Sequence, residues 1–351
     1  MTARTDTETG TGAAAGAAEG GAGGSRRLGR RTASAALARN ARLIALAAAA
    51  FLLTLALMLR SYVADELEKI PARTELIMRL TDDSAAYLDT GTWKVVRDVP
   101  VERRTEVSGT FAPGDADWTT WRMSTSVSSR DTPLAHSERR VVVDRETGTA
   151  VNCCGEHVDG DKAVRQAGLV LHWPAGGTWE EYPFYDADIR AAPPMVFDGA
   201  DTVGGLFVRR YVQTVDTTQV PDSARPVPAR VLGRDRPGTV QANRWLELER
   251  TLWVEPVTGR VVDAREVRRE TLRPETGDGE RLLLDADLRM AEELVAGEVR
   301  LADQQRTLLQ AVRSWLPIGL GAAGGALSVF ALAGELRDRR ATAAATGAQR
   351  N

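Results

Sequence analysis

Two stretches of this chain carry no charge, and between them apolar and polar positions alternate. Leu43 to Leu59 is a run of seventeen residues in which only Thr54 is polar. Leu316 to Gly334 is nineteen residues without an ionisable group. At 1.5 Å of rise per residue, each predicts a helix able to cross a hydrocarbon core. Arg60 and Tyr62 close the first run and Trp315 opens the second, residues suited to a membrane interface. The first run can also be read as a signal peptide, but no small-residue cleavage site follows it. The glycine-rich second run can also be read as a buried core helix, but its basic and aromatic flanks favour a span.

Basic residues set the expected orientation. Arg26, Arg27, Arg30, Arg31, Arg39 and Arg42 precede the first run, and Arg337, Arg339 and Arg340 follow the second. The positive-inside rule then puts both termini in the cytoplasm. The expected division is a disordered basic tail over 1–42, a span over 43–60, an extracytoplasmic domain over 61–314, a second span over 315–334 and a cytoplasmic tail over 335–351. The glycine and alanine of the first 24 residues leave nothing to bury. Gly321 and Gly325 form a G-x-x-x-G in the second run, a spacing that permits close packing against the alanine-rich first span and also arises by chance.

The middle region reads as strands. Asp89 to Trp93, Asp144 to Thr149 and Glu255 to Arg260 each predict a tight turn in which glycine takes the left-handed conformation. Trp121, Met123, Thr125 and Val127 alternate with Arg122, Ser124 and Ser126. Leu246, Leu248 and Leu252 alternate with Glu247, Glu249 and Thr251, as in a half-buried antiparallel strand. Gly205 to Val215 is long enough for another strand. Prolines between Pro174 and Pro237 predict loops and short strands, so the expected strands are few. Ser61 to Leu80 reads as a helix continuing the first span and kinked or ended by Pro71. Asp287 to Arg313 reads as an amphipathic helix with Leu288, Leu294, Val299, Ala302, Leu309 and Val312 on its apolar side. The fold class is therefore α+β and mainly β: one antiparallel β-rich extracytoplasmic domain, flanked by juxtamembrane helices and two transmembrane helices.

Composition narrows the functional classes. The formal net charge is −3, so no global basic field points to nucleic acid. Cys153 and Cys154 are the two cysteines, which excludes a disulfide-stapled mini-domain. Outside the cytoplasm this neighbouring pair can close a vicinal disulfide, either as a stiff turn or as a redox-sensitive switch; two unpaired thiols are the alternative. A zinc site from Cys153, Cys154, His157 and His172 lacks the usual ligand spacing. No nucleophile elbow, metalloprotease motif, phosphate loop or dinucleotide fingerprint occurs, so catalytic, metal and cofactor residues are all expected to be none. The aromatic segment containing Trp173, Trp179, Tyr182, Phe184 and Tyr185 predicts core first and a ligand groove second.

Several short motifs occur in a familiar order: Val143 to Gly148 with Asn152-Cys153, Gly168-Leu169-Val170 before Trp173-Pro174, Tyr182 to Asp186, Gly204-Gly205-Leu206, and Trp253 to Gly259. With the two terminal spans, over residues 40 to 335, the chain resembles the actinobacterial porin PorA family. The resemblance implies a two-span envelope protein and carries over no catalytic residue. The expected role is a non-enzymatic plasma-membrane protein whose exterior domain binds an envelope partner or a lipid-like ligand. A channel or transport component is the second reading, and an envelope hydrolase, resting on abundant carboxylates, the third. The partners are the bilayer and that ligand, with no nucleic acid and an open oligomeric state.

Overall fold

The computed structural model describes residues 24–112 and 117–348. Contacts divide the chain into two compact units, 1–57 together with 317–351, and 58–316.

The first unit holds helix α1 (Gly24–Met58). The expected tail 1–42 is therefore helical from Gly24 onward; residues 1–23 lie outside the described residues. Alanine and arginine favour helix, and the adjoining span removes the nucleation cost. Its partner is the last helix, which begins at Leu316 and is introduced below. Ala49 and Ala56, seven residues apart, are buried on one side; Gly324 and Ala331, also seven apart, are buried on the other. That spacing keeps one seam facing a neighbour over several turns. Gly324 is where the backbones come close: a Cβ there would lie 3.0 Å from Leu53 Cγ and 3.1 Å from the Ala49 carbonyl oxygen. The expected packing residues Gly321 and Gly325 are corrected, because a Cβ on either would meet nothing within 4 Å. They lie on neighbouring faces of the helix from Gly324. Phe51, Ile318 and Phe330 are exposed. Only 11 % and 17 % of the two apolar windows is buried, which argues against core helices.

The second unit starts with a π-helical turn, Leu59–Val63, and the short helix α2 (Ala64–Glu68). Strands β1 (Glu75–Asp89), β2 (Lys94–Phe111), β3 (Trp118–Ser129) and β4 (Thr132–Asp144) form a meander. Short strands β5 (Ala150–Val151), β6 (His157–Val158) and β7 (Glu181–Pro183) follow. Then come β8 (Pro194–Val203), β9 (Leu206–Gln219), β10 (Arg225–Pro228), β11 (Thr239–Glu255), β12 (Arg260–Pro274) and β13 (Arg281–Met290). Helix α3 (Glu292–Gln310), a π-helical turn (Ala311–Trp315) and helix α4 (Leu316–Ala348) end the described chain. Thirteen strands among the described residues correct the expectation of few. The prolines fall at edges and loops, leaving β1, β2, β11 and β12 at 15 to 18 residues.

All ladders are antiparallel, in the order β5-β4-β3-β2-β1-β13-β12-β11-β9-β8-β7. The two edges are stitched together by Gly168-Leu169-Val170. On one side the Ala150 N–H donates to the Gly168 carbonyl at 2.8 Å; on the other the Leu169 N–H donates to the Pro183 carbonyl at 2.7 Å. This closure satisfies edge groups that an open sheet would leave bare. The main core lies within, joining Leu80, Val101 and Val127 to Tyr211, Leu252 and Leu288 across the enclosure.

Two expected helices are shortened. The first ends at Glu68 and gives way to β1 by Glu75, since Pro71 biases the residue before it toward extended backbone and β1 has partners on both sides. The second begins at Glu292 rather than Asp287, because Leu288 to Met290 complete β13 against β12 and β1. α3 then packs Val299 and Ala302 on Leu206, Val208 and Val262. Thr251, expected on the solvent face, is buried near this small core, where Trp253 also packs.

The turns are built by carboxylates. Asp144 accepts the Thr147 hydroxyl at 3.0 Å, Glu255 the Thr258 hydroxyl at 2.8 Å, and Asp89 the Thr92 hydroxyl at 2.6 Å. Gly148 and Gly259 have φ of 72° and 73°, as the turn geometry requires. In the first turn the left-handed residue is instead Trp93, at φ 60°, which corrects the expectation for Gly91.

Candidate ligand cavity

The second and third Thr-Gly turns converge on one segment, Leu171-His172-Trp173. Val170 N–H donates to the Gly148 carbonyl at 3.2 Å and Trp173 N–H to the Gly259 carbonyl at 2.9 Å. A Cβ on Gly148 would strike the His172 carbonyl, and one on Gly259 the Trp173 carbonyl, so close approach as well as φ demands glycine. Three motifs far apart in sequence thus form one rigid wall.

Against that wall lies a cavity of about 480 Å³, within the 300–1,000 Å³ range of small-ligand sites. β1 supplies Leu76, Ile77 and Met78, the preceding loop Ile70 and Pro71, and β2 and β3 Val107 and Trp121. Met290 and α3, through Leu294, Leu308 and Leu309, form the opposite side. Polar groups border it: Glu66, Lys69, Arg73, Arg145, His172, Arg260 and Glu298. Most are paired among themselves. Arg145 Nη2 lies 2.8 Å from Glu66 Oε1 and its Nε donates to the Ile70 carbonyl at 2.7 Å, tying the loop to the turn at Gly148. Arg260 Nε lies 2.5 Å from Glu298 Oε2, tying β12 to α3. The arrangement is apolar within and ionic at its border, suited to an amphipathic molecule. A more open hollow of about 500 Å³ lies on another part of α3, beside Trp253, Val295 and Val299, with Arg265, Arg289 and Arg300.

His172 is half-buried in the cavity wall. Burial pushes its pKa down to about 4 despite the bond from its ring to the Trp173 carbonyl, 2.7 Å from Nδ1, and nearby Arg260 acts in the same direction as burial. The ring is neutral at pH 7, so Nδ1–H donates and Nε2 is left as an acceptor.

The interior of the sheet contains a second polar feature. On β12 the inward positions are Ala264, Glu266, Arg268, Glu270 and Leu272, all buried. Arg250 on β11 binds Glu266 at 2.7 Å, Asp186 at 2.8 Å and the Gln213 side-chain oxygen at 2.7 Å. Arg268 pairs with Glu270 at 2.8 Å and with Asp188, to which Arg244 also binds. Arg103 on β2 approaches Glu266 at 3.6 Å. Burial by itself would raise Glu266, but Arg103, Arg250 and Arg268 outweigh it and hold the carboxyl at about 2. Asp188 is likewise held well below the usual carboxylate range by Arg268 and Arg244 against the cost of burial.

The aromatic residues singled out in the sequence are distributed differently from a groove. Trp173, Tyr182 and Phe184 are buried in the main core, and Trp173 stacks on Phe184 with centroids 5.7 Å apart. Tyr211, on β9, joins them at 5.4 Å from Trp173. Trp179 is exposed and stacks on Tyr182. Tyr185 is buried beside Arg139. None of the five lines the 480 Å³ cavity. Trp173, Tyr182 and Phe184 fill space because a closed sheet needs large side chains at its centre. Cys153 and Cys154 are joined as a vicinal disulfide after β5, with Cys154 at φ 65°. No group of three His, Cys, Asp or Glu side chains that could hold a metal ion occurs among the described residues.

Sequence reasoning did not identify the cavity lining. The alternation Leu76, Met78, Leu80 was the available signal, hidden by reading Ser61 to Leu80 as helix. A model of the Porin PorA family matches residues 41–333, from just before the first apolar run to the end of the second. The chain belongs to the Porin PorA family. No curated protein matches it. The matched region of this PorA-family chain takes in most of both helices long and apolar enough to span a membrane, and the chain is a membrane protein. The family points to a non-enzymatic protein.

Proposed function

We propose that this chain is an envelope transport component that takes up a lipid-like amphiphile on the outer side of the plasma membrane. The observation that carries the reading is the 480 Å³ apolar cavity with its ionic border, built largely from segments that lie within about twenty residues of the two spans. Glu66 to Met78 follow the first span in the chain, and Leu294 to Leu309 precede the second. Both termini are cytoplasmic in this reading, supported by Arg39 and Arg42 on one side and Arg337, Arg339 and Arg340 on the other. The acyl part of the ligand lies among Leu76, Met78, Trp121 and Leu309, and its polar end among the charged groups of the border.

Mass spectrometry of lipid co-purified with the full chain tests this. Leu76→Trp, which fills the cavity, should reduce bound lipid at least tenfold while the protein stays folded. Equal lipid in the two proteins, or none in either, would overturn it.

The family match favours a second reading, a channel. The outward positions of the sheet carry Arg122, Glu247, Glu249, Arg269 and Arg289, which is not the apolar band of a membrane-embedded barrel. A pore would therefore need the spans of several copies. Planar-bilayer recording from purified full-length protein decides this reading: discrete conductance steps support it, and repeated silent insertions remove it.

A further inference from the structure

Inside the closed sheet, one layer of side chains away from the apolar cavity, lies a smaller hollow of about 80 Å³. Met78 and Leu171 line both. Its lining takes Arg103, Asp186, Asp188, Arg250 and Glu266 from the ionic cluster, together with Arg139 and Tyr185.

Arg139 has an unusual position. It is nine-tenths buried, yet it makes no ion pair among the described residues. Nη1 has no hydrogen-bond partner, and Nη2 reaches only the Val170 carbonyl, at 3.5 Å. The guanidinium lies 5.4 Å from the centre of the Tyr185 ring, and the buried Tyr185 hydroxyl also lacks a partner. Two unmatched donors therefore line the same small hollow. The buried carboxylates lining the hollow are each paired with arginines other than Arg139: Asp186 and Glu266 with Arg250, and Asp188 with Arg244 and Arg268, so Arg139 has no carboxylate of its own. Burial lowers the pKa of Arg139 to about 10, so it remains charged at neutral pH. An unpaired buried charge is strongly unfavourable unless something neutralises it. Water fills space and donates hydrogen bonds but does not cancel a charge.

We infer that this hollow is a binding site for a small monovalent anion of halide size, held by the Arg139 guanidinium and the Tyr185 hydroxyl. Thr125 and Ser137, which also line the hollow, bring further hydroxyls to the site. The four carboxylates that line the hollow are already engaged: Asp186 and Glu266 by Arg250, Asp188 by Arg244 and Arg268, and the exposed Glu138 by Arg122 at 3.7 Å.

The test uses purified full-length protein, compared in sodium bromide and in sodium gluconate at equal ionic strength. Bromide should raise the melting temperature above the gluconate value, increasingly with concentration, as a ligand of the folded state does. Arg139→Gln should abolish the bromide increment. Tyr185→Phe should weaken half-saturation about tenfold, the effect of one charge-assisted hydrogen bond, and it provides the test if Arg139→Gln does not fold. Anomalous scattering from bromide-grown crystals should place a peak within hydrogen-bond distance of Arg139. Equal melting in the two salts, a bromide response unchanged in both variants, or a hollow containing water alone would overturn the proposal.

Discussion

The helix pair and the β domain solve the same packing problem with opposite distributions of polarity. In the pair, alanine and glycine face inward while Phe51, Ile318 and Phe330 face out. In the domain, glutamate and arginine stand on the inner side of β12 and the strand exteriors also carry charge. Acyl chains offer no hydrophobic drive to bring two helices together, so small residues and close backbones do the work. Water does drive the closure of the sheet, and the enclosed ions other than Arg139 persist because they are paired at short range. What distinguishes inside from outside in this chain is therefore the solvent each unit meets, not hydrophobicity alone.

Substitutions separate the two regimes. The largest effect is expected in the ionic layer: Arg250→Met leaves Asp186 and Glu266 buried without their main partner and should cost about 3–5 kcal/mol in denaturant unfolding of the full chain. A double variant with Glu266→Gln should recover part of that loss; equal losses would show that the pair is not coupled. Next, Gly324→Leu places a side chain against Leu53 and should cost about 1–3 kcal/mol, read as lost cysteine crosslinking between α1 and α4. The domain's unfolding should not move, and a parallel loss there would break the contrast drawn above.

A smaller effect follows from His172. Its folded pKa of about 4 lies below the ordinary 6.5, so the unfolded chain binds the proton more readily. The stability contributed by the neutral ring is complete above pH 6.5 and is lost as pH falls toward 4. A fall from 6.5 to 4 corresponds to about 3 kcal/mol, and the ring's partial exposure reduces the loss to the order of 1–2 kcal/mol. Glu266 contributes below that window, between the ordinary carboxylate value and about 2. His172→Gln should flatten the slope between pH 6.5 and 4.5, and an unchanged slope would assign it to other groups. The smallest effect is expected at Asp338, 2.5 Å from Arg42 and exposed: Asp338→Asn should leave helix pairing nearly intact, because solvated ion pairs contribute little.

Much of this architecture was legible in the residues. Charge-free runs have one economical use at that length, and Thr-Gly turns following Asp or Glu close in nearly any context, which is why the hairpins at 144–149 and 255–260 follow from local chemistry. The strand β12 was harder. Ala264 to Glu270 is polar on both faces, so periodicity gives no inward side until Arg250 and Asp186 arrive from elsewhere to pair with it. Gly321 and Gly325 had the right spacing but the wrong rotation about the helix, a matter only the partner helix settles. Trp173, Tyr182 and Phe184 were recognisable as a cluster and read as core first, and the partner that packs with them, Tyr211, is more than twenty-five residues away from each.

By itself, the sequence determined the two spans, the turns and the antiparallel β character, since these depend on local hydropathy, carboxylate-to-hydroxyl bonds and backbone permissiveness. Tertiary structure alone decided the closure through Gly168-Leu169-Val170, the inward direction of the charges and the cavity against Leu171 to Trp173. Each of those joins residues distant in the chain, and a long-range pairing leaves no trace in the pattern of either partner until both are in place.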